Sequence, residues 1–351
     1  MYNVGVFPGK FFPPHRGHIN AIIQAATKVK KLYVVVSDNT ERANRICEDT
    51  HIRKMPLIER ARWISREVGD FEHIIVKMID ETDIPEYPEG TKQWTKLLIK
   101  AIPEKFDVIF GGEQEYRKTY MSNFSKEIDY VVYDYKRDRY PISGTIIREN
   151  PIKYWDYILG SARPHFAKRV LITGVESAGK TTITKYLGKI YHTSWTQEYG
   201  RFYAEEKIGG NEDFFNDDDF FKIASKQVDI DEEALNNANK VVFFDTDAVV
   251  TQFYAEMYLG HKVKRVDQFI DKEKYDLILL MGPDVPWVAD GQRVNEDLSV
   301  REALFSELKK MYYSYGFYEH ASIQEIRFDN YSDRLTQSMY YIDNLLKSDI
   351  L

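Results

Sequence analysis

Two kinds of pattern alternate along the chain. Short unbroken runs of Val, Ile, Leu, Phe and Tyr give way to stretches where apolar residues return every third or fourth position. The first kind reads as strands buried on both faces, the second as amphipathic helices. In the first half the strand runs are Val4–Phe7, Leu32–Ser37, His73–Met78, Asp107–Phe110 and Tyr130–Tyr135. Helices are expected over Gly17–Lys30, Pro56–Val68 and Thr91–Ala101. Asn150–Phe166, which holds Pro151 and Pro164, reads as a short helical connector. A second alternation has strands at Arg169–Thr173, Val241–Asp245, Leu277–Met281 and Ile323–Phe328. Its helices are expected at Lys180–Ile190, Asp217–Asn237, Ala248–Tyr258, Ser299–Tyr313 and Ser332–Leu346. Strands alternating with helices imply parallel sheets covered on both sides, an α/β fold.

Length divides this pattern in two. At 351 residues the chain suits two domains, and the pattern restarts at Ala167, giving 1–166 and 167–351. With 43% hydrophobic and 29% charged residues, both halves have the material for globular cores. Net charge is −7 overall, but 26 Lys+Arg against 23 Asp+Glu leaves residues 1–166 at +3, and 22 against 32 leaves the remainder at −10. The overall acidity argues against a general nucleic-acid binder. One cysteine, Cys47, excludes a disulfide framework or a multi-cysteine metal site. No apolar run is long enough for a membrane helix, and the first residues read as a strand rather than a signal peptide, so a cytoplasmic protein is expected. Composition leaves open whether the chain forms a homo-oligomer.

Chemistry concentrates in loops that follow strands. Directly after the first run comes Gly9-Lys10-Phe11-Phe12-Pro13-Pro14-His15-Arg16-Gly17-His18, leading into a helix. Ligands of open α/β sheets bind beyond the carboxyl ends of strands, and a helix N-terminus offers free N–H groups to phosphate. Near the end of the same half, Ile142-Ser143-Gly144-Thr145-Ile146-Ile147-Arg148 opens another short helix. The loop Ile84–Gly90, with Tyr87, is followed by Trp94, a candidate stacking face for a flat cationic ring. Taken alone, such a tryptophan is as well explained by packing.

In the second half, Gly174-Val175-Glu176-Ser177-Ala178-Gly179-Lys180-Thr181 satisfies G-x-x-x-x-G-K-[ST] between a strand and a helix, with Thr182 next. Backbone amides of this loop wrap phosphates, Lys180 reaches the outer ones, and the Thr181 hydroxyl faces magnesium. Val241–Asp245 ends in a carboxylate suited to support the metal, and Asp245 reads alternatively as a helix cap. Asp247, Arg201 and Trp287 are candidate substrate contacts, and Arg293 sits in a glycine-containing segment suited to a lid.

The two first-half motifs resemble the nucleotidylyltransferase signatures G-x-F-x-P-x-H-x-G-H and I-S-x-T-x-I-R. With the P-loop behind them, the chain resembles the NadR family, bifunctional nicotinamide mononucleotide adenylyltransferases and ribosylnicotinamide kinases. That resemblance implies a Rossmann-like nucleotidylyltransferase sheet followed by a P-loop kinase sheet. It implies phosphorylation of nicotinamide riboside by ATP, then adenylyl transfer to the mononucleotide with formation of NAD and pyrophosphate, with Mg2+ as cofactor. By the same carry-over, His15, His18, Lys10 and Arg148 act on the triphosphate, supported by Gly9, Phe11, Gly17, Ser143 and Thr145. Some family members carry an N-terminal helix-turn-helix domain. The early first strand leaves no room for one here, so no direct DNA binding is expected. Two rivals stand beside this reading: a phosphopantetheine adenylyltransferase fused to a dephospho-coenzyme A kinase, and a nucleotide-sensing regulator with little turnover.

Overall fold

The structure is a computed structural model that describes residues 1–112, 117, 122–124, 128–133, 137–285 and 297–347. It divides into two compact units, Met1–Phe166 and Ala167–Leu351.

The first unit is built on a five-stranded sheet of β1 (Tyr2–Gly9), β2 (Val29–Asp38), β3 (Ile74–Asp80), β4 (Val108–Gly111) and β5 (Asp129–Val132). The order is β3-β2-β1-β4-β5, and every pairing is parallel. Strand alternation explains the unbroken apolar runs. Leu32, Val34 and Val36 of β2 enter one core with Phe7 and Ile64, while Tyr33 and Val35 enter another with Val4, Val6 and Leu98. Strand order reverses between β1 and β4, which opens a crevice beyond their carboxyl ends.

The second unit holds β6 (Lys168–Gly174), β7 (Val241–Asp245), β8 (Leu277–Met281) and β9 (Ser322–Ile326) in the order β7-β6-β8-β9, again all parallel. Trp195 adds a single parallel bridge to Phe243 outside β7. Leu171, Val242, Phe244, Ile278 and Leu280 fill one face, and Val170, Ile172, Phe243, Leu277 and Leu279 the other.

Several expected boundaries move. The helix expected to reach Lys30 ends at Ala26, where the Thr27 hydroxyl donates to the Gln24 carbonyl, and Val29 and Lys30 join β2. The last strand ends at Ile326 rather than Phe328. Among the described residues three helices have no counterpart in the apolar pattern, Thr40–Asp49, Tyr199–Glu206 and the single turn Lys264–Asp267. The expected connector Asn150–Phe166 is integral to the first unit: Ile152, Trp155, Ile158, Leu159, Ala162 and Phe166 are all buried.

Candidate active sites of the two units

In the first unit the two distant motifs meet. β1 delivers Gly9 to the crevice, and the helix Arg16–Ala26 starts with His15 as its N-cap. Between them Phe11 adopts φ 47°, which turns its buried ring against Phe7 (6.2 Å) and edge-on to His18 (4.9 Å). The His15 and His18 rings stack at 3.7 Å, 25° apart. The His15 backbone N–H donates to His18 Nδ1 at 3.3 Å, which leaves Nε2 to carry the proton of neutral His18. His15 Nδ1 is buried without a hydrogen-bond partner. Burial, seconded by the Arg137 charge, pushes the His15 pKa down to about 3. Burial and its neighbour His15 likewise hold His18 well below the ordinary imidazole range. Both rings are neutral at neutral pH.

Arg148 spans the motifs. Its Nη1 donates to the Phe12 carbonyl, its Nη2 donates to Thr145 Oγ1 at 3.1 Å, and its guanidinium lies over the Phe12 ring at 5.1 Å. A Cβ at Gly144 would stand 2.3 Å from the Phe12 carbonyl oxygen, so only glycine permits this approach. Ser143 caps the short helix Gly144–Glu149, its Oγ accepting from Ile146 N–H at 3.2 Å, and its O–H remains able to donate. Lys10 is exposed, 3.9 Å from Glu81. A Cβ at Gly9 would meet the Phe11 ring at 2.9 Å, and one at Gly17 the His15 ring at 3.1 Å.

The candidate nicotinamide contacts divide. Tyr87 is 48% exposed. Trp94 is 8% exposed and packs with Val6, Tyr33, Val35 and Leu98, so its indole is mainly a core residue and offers a ligand little of its face.

In the second unit, β6 ends in the glycine-rich loop and the helix Lys180–Ile190 follows it. Gly174 (φ 151°) lies where a Cβ would meet the Met281 carbonyl oxygen at 2.5 Å, and Gly179 (φ 78°) where one would meet the Tyr331 ring at 2.8 Å. Lys180 is buried, and its ammonium donates to the Val175 carbonyl at 3.0 Å. Asp245, at the end of β7, is 0% exposed, and neither carboxylate oxygen has a hydrogen-bond partner. Burial raises its pKa to about 7 against the pull of nearby Lys180, Thr181 and Arg201, and Glu198 raises it further. An orphaned buried carboxylate beside a threonine hydroxyl fits a divalent cation, with phosphate oxygens and waters completing the shell. No cluster of three or more His, Cys, Asp or Glu able to hold a metal ion occurs among the described residues.

Asp245 gives one pH prediction. A carboxyl whose pKa is raised on folding binds its proton more tightly when folded, so the unliganded chain loses stability as pH rises from about 4 to 7. The thermal midpoint of the unliganded protein should therefore fall across this window, and Asp245→Asn should flatten the slope near its upper end. Equal slopes for the two proteins would refute the assignment.

Asp247, one of the expected substrate contacts, has a structural role. It caps the helix Ala248–Leu259, accepting from Val249 and Val250 N–H at 3.0 and 3.2 Å, and takes the Tyr312 hydroxyl at 2.8 Å. All three bonds fall on Oδ1, and Asp247 fills the helix-cap role that was also open to Asp245. Trp287 and Arg293 lie outside the described residues.

A cavity of about 350 Å3 opens from the P-loop, within the range of small-ligand pockets. Glu176, Ser177, Ala178, Gly179, Lys180, Thr181 and Thr182 line one end, and Glu198 and Arg201 its side. Aromatic side chains line it too: Tyr258 stacks on Phe215 (5.8 Å, 2°) and on Tyr254 (5.8 Å, 23°), and its hydroxyl donates to Glu212 at 2.9 Å. Phe215, Tyr254, Tyr258 and Glu212 had not been singled out from the sequence. Their signal is faint, a tyrosine pair four residues apart that shares one face of a helix apolar on all sides.

Comparison with known proteins follows the same division. The cytidylyltransferase-like family matches residues 6–150, and the AAA domain family matches residues 169–325. A solved structure of NadR in complex with NAD and AMP-PNP superposes with a TM-score of 0.79 at 27% identity, covering 98% of this chain and 96% of that one. A second, in complex with NR, gives the same TM-score and identity over 97% and 95% of the two chains. The trifunctional NAD biosynthesis/regulator protein NadR of Escherichia coli is 35% identical over 294 residues, which span 83% of this chain and 71% of that protein. On that identity and coverage, with one matched fold across both units, the chain belongs to the NadR family.

Proposed function

We propose that the second unit phosphorylates nicotinamide riboside with ATP and that the first couples the resulting mononucleotide to AMP, giving NAD and pyrophosphate. One observation carries the reading: a single cavity lined by a complete P-loop is also lined by Phe215, Tyr254 and Tyr258 and by the carboxylates Glu198 and Glu212. Nicotinamide riboside is a flat pyridinium cation with a sugar hydroxyl. Stacked Phe215, Tyr254 and Tyr258 offer it ring faces, and the carboxylates offset its charge. The complexes of NadR with NR and with NAD and AMP-PNP support the same ligands here.

In the kinase, loop amides and Lys180 cradle the phosphates of ATP. Thr181 and Asp245 would hold Mg2+, which shields the negative charge of the phosphates when bound. Glu198 and Arg201 both line the cavity; in this reading Glu198 accepts the proton of the attacking hydroxyl and Arg201 offsets the charge of the transferring phosphoryl group. In the transferase, the mononucleotide phosphate attacks the α-phosphorus of a second ATP while the bond to pyrophosphate breaks. Neutral His15 and His18 donate hydrogen bonds as negative charge moves onto the leaving group, and Lys10 and Arg148 offset it, with Ser143 and Thr145 adding donors.

No helix among the described residues is long and apolar enough to cross a membrane. A reducing cytoplasmic setting, suited to the buried thiol of Cys47, is part of the proposal, and binding to DNA is not. The test supplies ATP and Mg2+ with nicotinamide riboside, its mononucleotide or phosphopantetheine. NAD should form from the first two. Coupling to phosphopantetheine alone would favour the coenzyme A rival, and no steady turnover of any acceptor would favour the sensor.

A further inference from the structure

The two largest fully buried side chains among the described residues are arginines, one in each unit: Arg60 and Arg334. Burying a guanidinium is costly unless its donors are matched, so the groups that match them are informative. Arg60, on the helix Leu57–Val68, donates from Nε to the Met55 carbonyl (3.1 Å) and from Nη1 to the Lys10 carbonyl, while Nη2 pairs with Asp38 at the end of β2 (2.5 Å). Its guanidinium also lies 4.9 Å from the centre of the Phe12 ring that Arg148 covers. Arg334, on the helix Tyr331–Lys347, donates from Nε to the Phe328 carbonyl (2.6 Å) and from Nη1 to the Ala178 carbonyl (2.7 Å). Its Nη2 donates to the Gly282 carbonyl just beyond β8 (2.8 Å) and approaches Asp284 (3.4 Å).

The two arrangements are alike. Each fork takes one carbonyl from a phosphate-binding loop, Lys10 in one unit and Ala178 in the other, and ties it to one aspartate and to further chain: Met55 before the helix Leu57–Val68 in the first unit, Gly282 and Phe328 beyond β8 and β9 in the second. A trans peptide points its C=O and the next N–H in opposite directions. Holding Lys10 and Ala178 C=O from behind therefore turns the Phe11 and Gly179 N–H groups away from the core, toward the side where phosphate is bound. We propose that Arg60 and Arg334 are positioning residues, each of which sets the orientation of one unit's phosphate loop without touching substrate. The proposal rests on the assignment of adenylyl transfer to the first unit and phosphorylation to the second. Lysine keeps the charge but cannot reach three acceptors in one plane, so it is the informative replacement.

Arg60→Lys and Arg334→Lys are made in the full chain, and kcat and KM are measured for both reactions, each reaction serving as the folding control for the other unit. Misplacing a catalytic loop by about 1 Å costs on the order of 100-fold. Arg60→Lys should lower kcat of adenylyl transfer by roughly 10- to 100-fold with KM for ATP changed less than about threefold, leaving riboside phosphorylation intact, and Arg334→Lys should do the reverse. Adding guanidinium to Arg60→Ala or Arg334→Ala should restore part of the lost kcat, where methylammonium does not. If a lysine variant fails to fold, Asp38→Asn or Asp284→Asn loosens the same fork, and the same selective fall in kcat is expected. Unchanged kcat, a change in KM alone, a parallel loss of both activities in folded protein, or equal rescue by the two cations would each overturn the proposal. A wild-type chain active in both reactions confines that failure to the arginines; one active in neither overturns the functional reading and this proposal with it.

Discussion

Lys180→Ala should reduce phosphorylation of nicotinamide riboside by on the order of 1,000-fold and leave adenylyl transfer to the mononucleotide within about twofold of wild type. Two losses add in this variant. The ammonium that now donates to the Val175 carbonyl is the one cation of the loop able to turn onto the outer phosphates of ATP. The same charge also restrains Asp245, whose pKa burial has lifted to about 7. Without it that carboxyl is driven further up, becomes protonated at neutral pH and is less able to hold a cation. Lys180→Arg should recover little, since the wider guanidinium does not fit the space of a buried ammonium. Production of ADP with nicotinamide riboside, and of NAD with the mononucleotide, measures both activities on one preparation. If a folded Lys180→Ala protein lost both, the assignment of one reaction to each unit would be wrong.

The selectivity of that variant follows from what could be read locally. Each phosphate loop begins at the last residue of a strand, so strand, loop and helix start occupy one stretch of about twenty residues. The parallel strands were legible for a related reason, since burial on both faces leaves no polar alternation to blur a run such as Val34–Val36. The helices Thr40–Asp49 and Tyr199–Glu206 escaped because they bury almost nothing: Ala43 and Cys47 in one, Tyr203 in the other. Without an apolar stripe, a helix depends on caps such as Asn39, which accepts from Arg42 N–H, and a single cap residue is common in turns as well.

The substrate chamber was illegible for a different reason. Its walls come from Glu198–Arg201, Glu212–Phe215, Phe220–Gln227 and Tyr254–Tyr258; Arg201 is the one candidate contact among them, and the periodicity that predicts two of the helices does not say which of their residues face a cavity. Only tertiary packing makes them neighbours. The helix-cap role of Asp247 was equally hidden, because a carboxylate two residues beyond a strand end gives no sign of which helix it starts. Arg60 and Arg334 lie within expected helices, and nothing in their spacing signals complete burial.

In the first unit the corresponding expectation is that His18→Ala lowers adenylyl transfer by on the order of 100- to 1,000-fold while riboside phosphorylation stays within about twofold of wild type. The His15 backbone N–H already occupies His18 Nδ1, so the proton sits on Nε2, and the ring is held by stacking on His15 at 3.7 Å and by the edge contact with Phe11 at 4.9 Å. His18→Asn retains a donor but loses that stacking, and it should fall between wild type and alanine. Protonation adds a second test. With His15 near 3 and His18 well below its ordinary range, both rings are neutral in the free enzyme at neutral pH. The profile of kcat/KM for adenylyl transfer, which reports the free enzyme, should therefore show no histidine limb between about pH 6 and 8. Both imidazoles then act as neutral donors, which are free of a proton-transfer step and ready for phosphate at any pH in that window. A limb with a midpoint near 6.5 in wild type that disappears in His15→Ala or His18→Ala would show that a charged ring is required, and the neutral-donor mechanism would have to be abandoned.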